Sequence, residues 1–323
     1  MTSPNLSEIV TTTLRNRAGE FADNVTNKNV LLRKLKERGN IRTLSGGRTI
    51  VRELDYAENS TFQYYSGYET LNVNASDVLS AAEYNWRQAA VNVTISGLEE
   101  RQNSGEAAIL DLLEGRIKNA MRTMANNIST GIYSDGTGSS GKQIDGLQAV
   151  VADSPATGTV GGINAATSSF WRNYSYDATT DGGAAASATN IITYMNNVYN
   201  TVIRGTDKPD LITADLNYFG FYQDALQAQQ RFAAADSKGG ADGGFVELQY
   251  ASAPVVLDDD SGISANHMYF LNTEYLSLDV HADANFTPKG GKEPINQDST
   301  IVPVLFMGNL TCSNRERQGL LKD

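Results

Sequence analysis

Cysteine, histidine and proline are scarce in this chain, whose 323 residues include one cysteine, two histidines and seven prolines. Because Cys312 is the single thiol, an intramolecular disulfide is excluded, and we expect the chain to be made in a reducing compartment. One cysteine and two histidines, without an HExxH-type spacing, argue against a zinc site, so neither a metal nor another cofactor is expected. The longest apolar run, residues 301–307, is too short to span a bilayer and contains Pro303, so no membrane partner is expected.

Positive charge is also scarce, and it is unevenly distributed. Residues 1–48 hold nine Lys or Arg and four Asp or Glu, a net charge of +5, whereas the remainder holds 17 and 33, a net charge of −16. An acidic body repels nucleic acid, while the basic segment can meet phosphate or an acidic partner. Four basic residues have an alternative role, as solvated cations that favour a helix C-terminus: Arg33, Lys34, Lys36 and Arg38.

No residue cluster predicts catalysis. Residues 136–142 satisfy most of the GxxxxGK phosphate-binding loop, but Gln143 stands where Ser or Thr should hold Mg²⁺. The segment also follows a long predicted helix, so no helix N-terminus completes a phosphate site. His267 and His281 lie among apolar residues, which is typical of structural histidines, and the aspartates at 258–260 lack the spacing of a calcium loop. We expect no enzyme activity, and a P-loop-type nucleotide-binding enzyme is the alternative of a different class.

The most informative segment is 41–76, which is extended, rich in aromatic residues and without a core of its own. Apolar residues alternate from Ile50 to Tyr56, and Leu71 and Val73 fall at strand spacing, so two antiparallel strands are expected around a connection at 58–68. An isolated two-stranded hairpin is marginally stable in water. Five aromatic side chains would be poorly covered on a free arm, so we expect another subunit to bury them: Tyr56, Phe62, Tyr64, Tyr65 and Tyr68. This pattern indicates an assembly protein.

Hydrophobic periodicity predicts both helices and strands along the chain. Helices are expected at 19–38, ending at Gly39, and at 104–129, 188–204 and 215–232. Strands are expected at 80–96, 158–163, 209–212, 245–257, 267–280 and 300–313. Since the two kinds of element neither alternate strictly nor separate, the predicted fold class is α+β with mainly antiparallel pairing.

Several segments, taken in their order, resemble the major capsid protein of tailed bacteriophages, which has the HK-ninety-seven-type fold. The order of basic helix, hairpin, strand, long helix, mixed section and C-terminal strands is similar to that family over nearly the whole chain. The segments that carry the resemblance are SGGRTIV at 45–51, AAEYNWRQAAV at 81–91, GTVGGI at 158–163, FWRN at 170–173, PDLI at 209–212 and PVVLD at 254–258.

The resemblance implies a division of the chain into an arm, an extended hairpin and two domains. Residues 1–40 would be the N-terminal arm and 41–78 the extended loop (E-loop). Residues 79–144, with a spine helix at 104–130, and 270–323 would form the peripheral domain, and 145–269 the axial domain. The arm, with the four basic residues named above, would face the interior of a shell.

The resemblance also implies partners. Copies are expected to assemble as hexamers and pentamers into an icosahedral head shell that encloses double-stranded DNA and binds it without sequence specificity. Scaffold, portal and cement or decoration proteins are candidate further partners, and the host cytoplasm is the expected place of assembly. Some members of the family crosslink through an E-loop lysine, but this chain has no lysine between Lys36 and Lys118. An encapsulin-like cellular shell is the alternative that shares the fold.

Overall fold

The computed structural model describes residues 29–102, 106–227, 248–258, 262–289, 292 and 294–323, and of residues 100–102 and 106–114 it describes the backbone only. The chain is α+β, as predicted. Residues 19–28, 104–105 and 228–232 of three predicted helices and 245–247 of a predicted strand lie outside these ranges, as do Asp259 and Asp260. In the part that is described, no helix is long and apolar enough to cross a membrane.

The main helices follow the predicted periodicity, although their ends differ. Asn29 has an extended backbone and its side-chain oxygen accepts from the Leu32 amide at 3.1 Å, so the first described helix starts at Val30, within the expected span of 19–38. Gly39 ends it with a φ of 75°, as predicted. The helices are α1 Val30–Arg38, α2 Gly97–Gln102, α3 Glu106–Tyr133, α4 Leu147–Val150, α5 Ile191–Val202 and α6 Leu216–Gln227.

The longest helix, α3, has 28 residues and is therefore about 42 Å long. Its apolar side chains recur every three or four residues, and Ile117, Met124 and Ile128 are at most 3% exposed. They belong to one hydrophobic core with Val93 and Ile95, which lie on a neighbouring strand. The periodicity therefore predicted this helix correctly, and its buried face is confirmed from Ile117 to Ile128, the part whose side chains are described.

Two larger sheets and two small hairpins contain the strands. In chain order the strands are β1 Ile41–Leu44, β2 Thr49–Asp55, β3 Leu79–Asn85, β4 Arg87–Ser96, β5 Thr159–Val160, β6 Ile163–Asn164, β7 Tyr174–Asp177, β8 Leu211–Ala214, β9 Leu248–Tyr250, β10 Ala253–Leu257, β11 His267–Leu271, β12 Leu276–His281, β13 Thr287–Pro288, β14 Ser299–Cys312 and β15 Gly319–Lys322. The first sheet has the order β1-β12-β14-β13, with β4 also paired to β14, and the second has the order β7-β15-β11-β8-β10-β9. Strands β2 and β3 form one separate hairpin and β5 and β6 the other.

The pairing corrects two expectations. Leu71 and Val73 are not in a strand; the partner of β2 is β3, which starts at Leu79. The expected single strand at 80–96 is divided at Trp86, because β3 pairs with β2 whereas β4 pairs with β14. The last strand, β15, lies in the second sheet. Pairs β1–β12, β8–β10 and β7–β15 are parallel and the others described are antiparallel.

His267 ties the second sheet to the loop that follows α4. Its Nε2 lies 3.3 Å from Oδ1 of Asp153, and its Nδ1 lies 2.7 Å from the carbonyl oxygen of Ala265. Burial opposes the charged imidazolium, but the hydrogen bonds to Asp153 and Ala265 outweigh burial and raise the pKa of His267. The same hydrogen bond lowers the pKa of the Asp153 carboxyl. This histidine is therefore structural, as its apolar neighbours predicted.

We expect the ion pair of His267 and Asp153 to stabilise the subunit within a pH window. The imidazolium contribution is complete below the ordinary histidine pKa of about 6.5 and is lost as the pH rises through the raised value. The carboxylate contribution is lost as the pH falls through the lowered pKa of Asp153. His267→Gln should therefore lower Tm most at about pH 5–6, and progressively less at higher pH. A Tm difference that does not vary with pH would contradict the pair, and His281→Gln is the control.

Candidate assembly surface

The hairpin of β2 and β3 is held at its base by a small hydrophobic core. Thr49 pairs with Asn85 and Asp55 with Leu79, so alternate side chains of both strands turn to the body. These inward side chains and one tryptophan from a later segment are at most 3% exposed: Ile50, Leu54, Ala82, Tyr84 and Trp171. The base of the hairpin is therefore part of the folded body and cannot be displaced without opening a core.

Hydrogen bonds reinforce this base. The Tyr84 hydroxyl donates to the carbonyl oxygen of Cys312 at 3.1 Å, and burial raises the pKa of Tyr84, which keeps this donor protonated. The Glu83 amide donates to the carbonyl oxygen of Gly161 at 2.8 Å. Gly161 has a φ of 58°, and a Cβ there would come within 2.9 Å of the Cβ of Ala82, so glycine is required.

A buried guanidinium links the segments behind this base. Arg315 is 0% exposed and donates to the carbonyl oxygens of Val150 at 2.6 Å and Trp171 at 2.8 Å, and to Oδ1 of Asn173 at 3.0 Å. Burial lowers the pKa of Arg315. The planar guanidinium group is nevertheless well placed to donate to three acceptors on two segments of the chain. The end of α4, the segment of Trp171 and the C-terminal segment are thereby held together.

Beyond Asp55 the hairpin leaves the body, and its outer part exposes apolar side chains. Residues 56–78 contain no strand. At the start of this segment, the Tyr56 amide donates to the Val78 carbonyl at 3.1 Å and so continues the pairing of β2 with β3 by one hydrogen bond. Six large side chains in this segment are 49–108% exposed: Phe62, Tyr64, Tyr65, Tyr68, Leu71 and Val73. Exposed apolar patches of this kind mark contact sites for another molecule. Burial of the four aromatic residues by a neighbouring subunit remains a prediction.

Tyr56 differs from the other aromatic residues of the predicted contact set. Its ring stacks on Phe170, with centroids 4.5 Å apart and planes inclined by 25°. Phe170 in turn packs against the core at the hairpin base. Tyr56 is therefore half-buried by its own chain, which the sequence pattern did not indicate.

The hairpin is strongly acidic on its outward side. Residues 49–85 contain six acidic residues and one basic residue, Arg52. Arg52 turns inward, where its Nη2 donates to Oγ of Ser277 at 2.7 Å. Three of the carboxylates alternate with Val51, Leu79 and Ala81 on the solvent face of the two strands: Glu53, Asp55 and Glu83. A surface that binds this face should be basic.

A groove of about 700 Å³ on the same subunit combines an apolar lining with one ion pair, Arg116 with Glu99. It lies between α3 and β4, and its apolar lining includes Val93, Ile95 and Ala120. At its rim Arg116 donates to Oε1 of Glu99 at 2.5 Å and lowers the pKa of that carboxyl to about 2. The described side chains of α3, residues 115–133, include Arg116, Lys118 and Arg122 and no acidic residue.

Helix α1 places the four basic residues of the predicted arm close to the body. Its Leu31, Leu32 and Leu35 are at most 1% exposed. Arg38 Nε lies 3.0 Å from Oδ2 of Asp210, and Arg33 Nε lies 3.9 Å from Oε1 of Glu37. Helix α1 is thus docked on the subunit, while Lys34 is half-buried and Lys36 exposed. An interior contact for these residues remains a prediction.

The glycine-rich segment 136–142 forms a turn and not a phosphate-binding loop. Ser139 and Ser140 have left-handed backbones, with φ of 54° and 59°. The Gly141 carbonyl accepts from Arg87, whose Nη2 donates to Oδ1 of Asp145 at 2.8 Å. Arg87 is therefore held by the turn. No cluster of potential metal ligands occurs among the described residues.

Comparison with known proteins identifies the fold. No protein-family profile and no curated protein sequence matches the chain. The Cyanophage A-1(L) capsid asymmetric unit aligns with a TM-score of 0.63 and 15% identity, over 88% of this chain and 90% of that one. The capsid of an empty GTA particle gives 0.55 and 14%, over 88% of each chain, and the capsid of Myoviridae Phage XM1 gives 0.53 and 12%, over 89% and 91%. The chain therefore has the fold of phage capsid subunits, and the predicted HK-ninety-seven-type fold is confirmed.

Proposed function

We propose that this chain is the major capsid protein of a tailed bacteriophage, which self-assembles into the icosahedral head shell around double-stranded DNA. The observation that carries the proposal is a hairpin with an anchored base and an exposed aromatic outer part, on a subunit with the capsid fold. A monomeric protein gains nothing from exposing that apolar surface to water, whereas a subunit of an assembly buries it.

The mechanism is repeated contact between unlike surfaces of identical copies. The outer part of the hairpin lies across a neighbouring subunit, and the groove beside α3 is the receiving surface. The aromatic side chains cover the apolar lining of the groove, and the acidic face of the hairpin meets Lys118 and Arg122, which lie on the same helix, α3, outside the groove lining. Because such head-to-tail contacts close into rings when the rotation permits, they generate pentamers and hexamers and then a shell.

The two sheets correspond to the two domains of the proposal. The sheet of β1, β4, β12, β13 and β14, with α3, is the peripheral domain, and the sheet that contains β8 and β11 is the axial domain. Because β15 lies in the second sheet, the proposal assigns it to the axial domain and not to the peripheral one. The axial domain would pack around the five-fold and six-fold centres.

The basic segment 1–48 would face the interior, where packaged DNA or an acidic scaffold is the partner. Its net charge of +5 is opposed by −16 on the rest of the chain, so the contact with DNA is non-specific and limited. Portal and cement proteins complete the set of proposed partners. No enzymatic step is assigned to the subunit.

An encapsulin-like cellular shell is the alternative with the same fold. The solved structures reported above are described as capsids of phages and of a GTA particle, which favours the virion. The P-loop alternative has less support, because 136–142 forms a turn that holds Arg87. Shells found with a portal and packaged DNA would separate the virion from a cellular compartment.

Charge reversal tests the proposed pairing of hairpin and groove. A hairpin variant, Glu53→Lys with Glu83→Lys, and a helix variant, Lys118→Glu with Arg122→Glu, should each assemble poorly. The chain that carries all four changes should assemble again, because opposite charges again face each other. Sedimentation velocity measures the assembled fraction, and added salt should reduce the differences because screening shortens to about 3 Å at 1 M.

The control for that experiment is Asp224→Lys, an exposed reversal on α6 that should not affect assembly. If the chain with all four changes assembles no better than either pair, the acidic face of the hairpin does not meet Lys118 and Arg122. If the parent chain forms no particles at all, alone or with the other head proteins, the proposed capsid function is wrong.

A further inference from the structure

The neck of the hairpin, Tyr56–Glu58, has two side-chain contacts with the body. The Tyr56 ring stacks on Phe170, with centroids 4.5 Å apart. Oε1 of Glu58 lies 3.7 Å from Nη2 of Arg204. The ion pair is exposed on both sides, so it contributes little, and the stacked rings are the stronger contact.

Both partners of the neck belong to the proposed axial domain. Phe170 lies in a 3₁₀ turn, Ser169–Trp171, next to the fully packed Trp171. Arg204 lies in the turn after α5, where it forms a backbone bridge with Asp207. Each contact point is therefore fixed on the axial side by structure of its own, while Tyr56 and Glu58 extend from the hairpin.

The neck is not packed solidly against the body. A crevice of about 520 Å³ lies beside it, lined by Leu54, Tyr56 and Phe170 on the apolar side and by Glu58, Arg204 and Glu316 on the polar side. Because this space is open, the hairpin can change direction at the neck without a clash with the base. The stack of Tyr56 on Phe170 and the ion pair of Glu58 with Arg204 would then favour one direction of the hairpin over others.

We propose that Phe170 and Arg204 form a latch by which the axial domain sets the direction of the hairpin. Ten residues separate Tyr56 from Ser66 near the tip, a reach of at most about 33 Å, so a rotation of about 20° at the neck moves the tip by roughly 10 Å. Such a displacement takes the aromatic side chains off a neighbouring subunit. The latch assigns Tyr56 the role of a positioning residue, whereas the sequence pattern predicted a contact with the neighbour.

The consequence for assembly rests on the proposed function, but the latch can be tested on the dilute subunit. Cys312 is buried and is the only thiol, so spin labels can be placed at Ser66→Cys on the hairpin and Asn126→Cys on α3, both exposed positions. Pulsed electron resonance then measures the distance between the labels. The parent should give one narrow distribution, Phe170→Ala a broader and displaced one, and Phe170→Tyr, which keeps a stacked ring, the parent distribution.

Two further variants keep the test decisive. Tyr56→Ala removes the same stack from the hairpin side, and it should reproduce the broad distribution if Phe170→Ala fails to fold. Arg204→Gln should broaden the distribution less than either. A broad parent distribution, or narrow and unshifted distributions in both alanine variants, would overturn the latch. A parent that shows the latch but never assembles would instead contradict the proposed function.

Discussion

A chain that carries Phe62→Ser and Tyr65→Ser should fold normally and fail to assemble. The two rings are 75% and 64% exposed, and changes at exposed sites usually alter stability by no more than about 0.5 kcal/mol. At the centre of an interface, by contrast, an aromatic anchor is worth about 2 kcal/mol or more, which is over tenfold in affinity for each contact. Each subunit of the proposed shell would make this contact, so the losses would accumulate around every ring.

Sedimentation velocity and thermal unfolding of the same samples measure this effect. Tm should match that of the parent while the assembled fraction falls to the background. The matched control is Phe62→Tyr with Tyr65→Phe, which keeps both rings and should assemble. A double serine variant that unfolds at a clearly lower temperature would place the rings in an intramolecular core. One that assembles like the parent would show that these rings are not the contact.

Replacement of Trp171 by alanine should cause the largest loss of stability, about 3–5 kcal/mol. Trp171 is 1% exposed, packs between the inward face of the hairpin and the body, and donates from Nε1 to the Val160 carbonyl at 2.8 Å. Removal of the indole opens a cavity and leaves the carbonyl of the half-buried Val160 without this donor. Trp171→Phe should cost less, because it fills much of the cavity and loses mainly the hydrogen bond.

The other tryptophan of the chain supplies the control. Trp86 is half-buried, and its Nε1 donates to the Gly47 carbonyl at 3.0 Å at an exposed site, so Trp86→Ala should cost clearly less. Urea unfolding followed by far-ultraviolet circular dichroism measures both variants without reliance on tryptophan fluorescence. Equal losses at the two positions would mean that the hairpin base is not anchored by Trp171.

Local patterns were enough to predict most of the elements. The helical spacing from Ile117 to Ile128 is set by residues within a few turns of one another, so it could be seen without any partner. Strand β14 could be predicted in the same way, because its apolar residues follow one another within a single short segment of the sequence. The exposure of the aromatic residues from Phe62 to Tyr68 could also be predicted, because the neighbouring sequence offers no apolar residues that could form a core with them.

Features that depend on distant partners could not be predicted in this way. Residues 80–96 have one alternating pattern, and the division at Trp86 arises only because each half finds a different partner strand. The stack of Tyr56 on Phe170 joins residues more than a hundred positions apart, and Arg315 satisfies carbonyls of equally distant segments. No local signal in the sequence marks such pairs, so the neck of the hairpin became visible only in the structure.

Electron cryo-microscopy of particles formed by the expressed chain, with a scaffold supplied where assembly requires one, tests the central claim most directly. The account predicts closed icosahedral shells in which density for residues 56–78 of each subunit crosses to a neighbour and covers the groove beside its α3. Shells in which this segment folds back on its own subunit, or a chain that stays monomeric at high concentration with every head protein present, would contradict it.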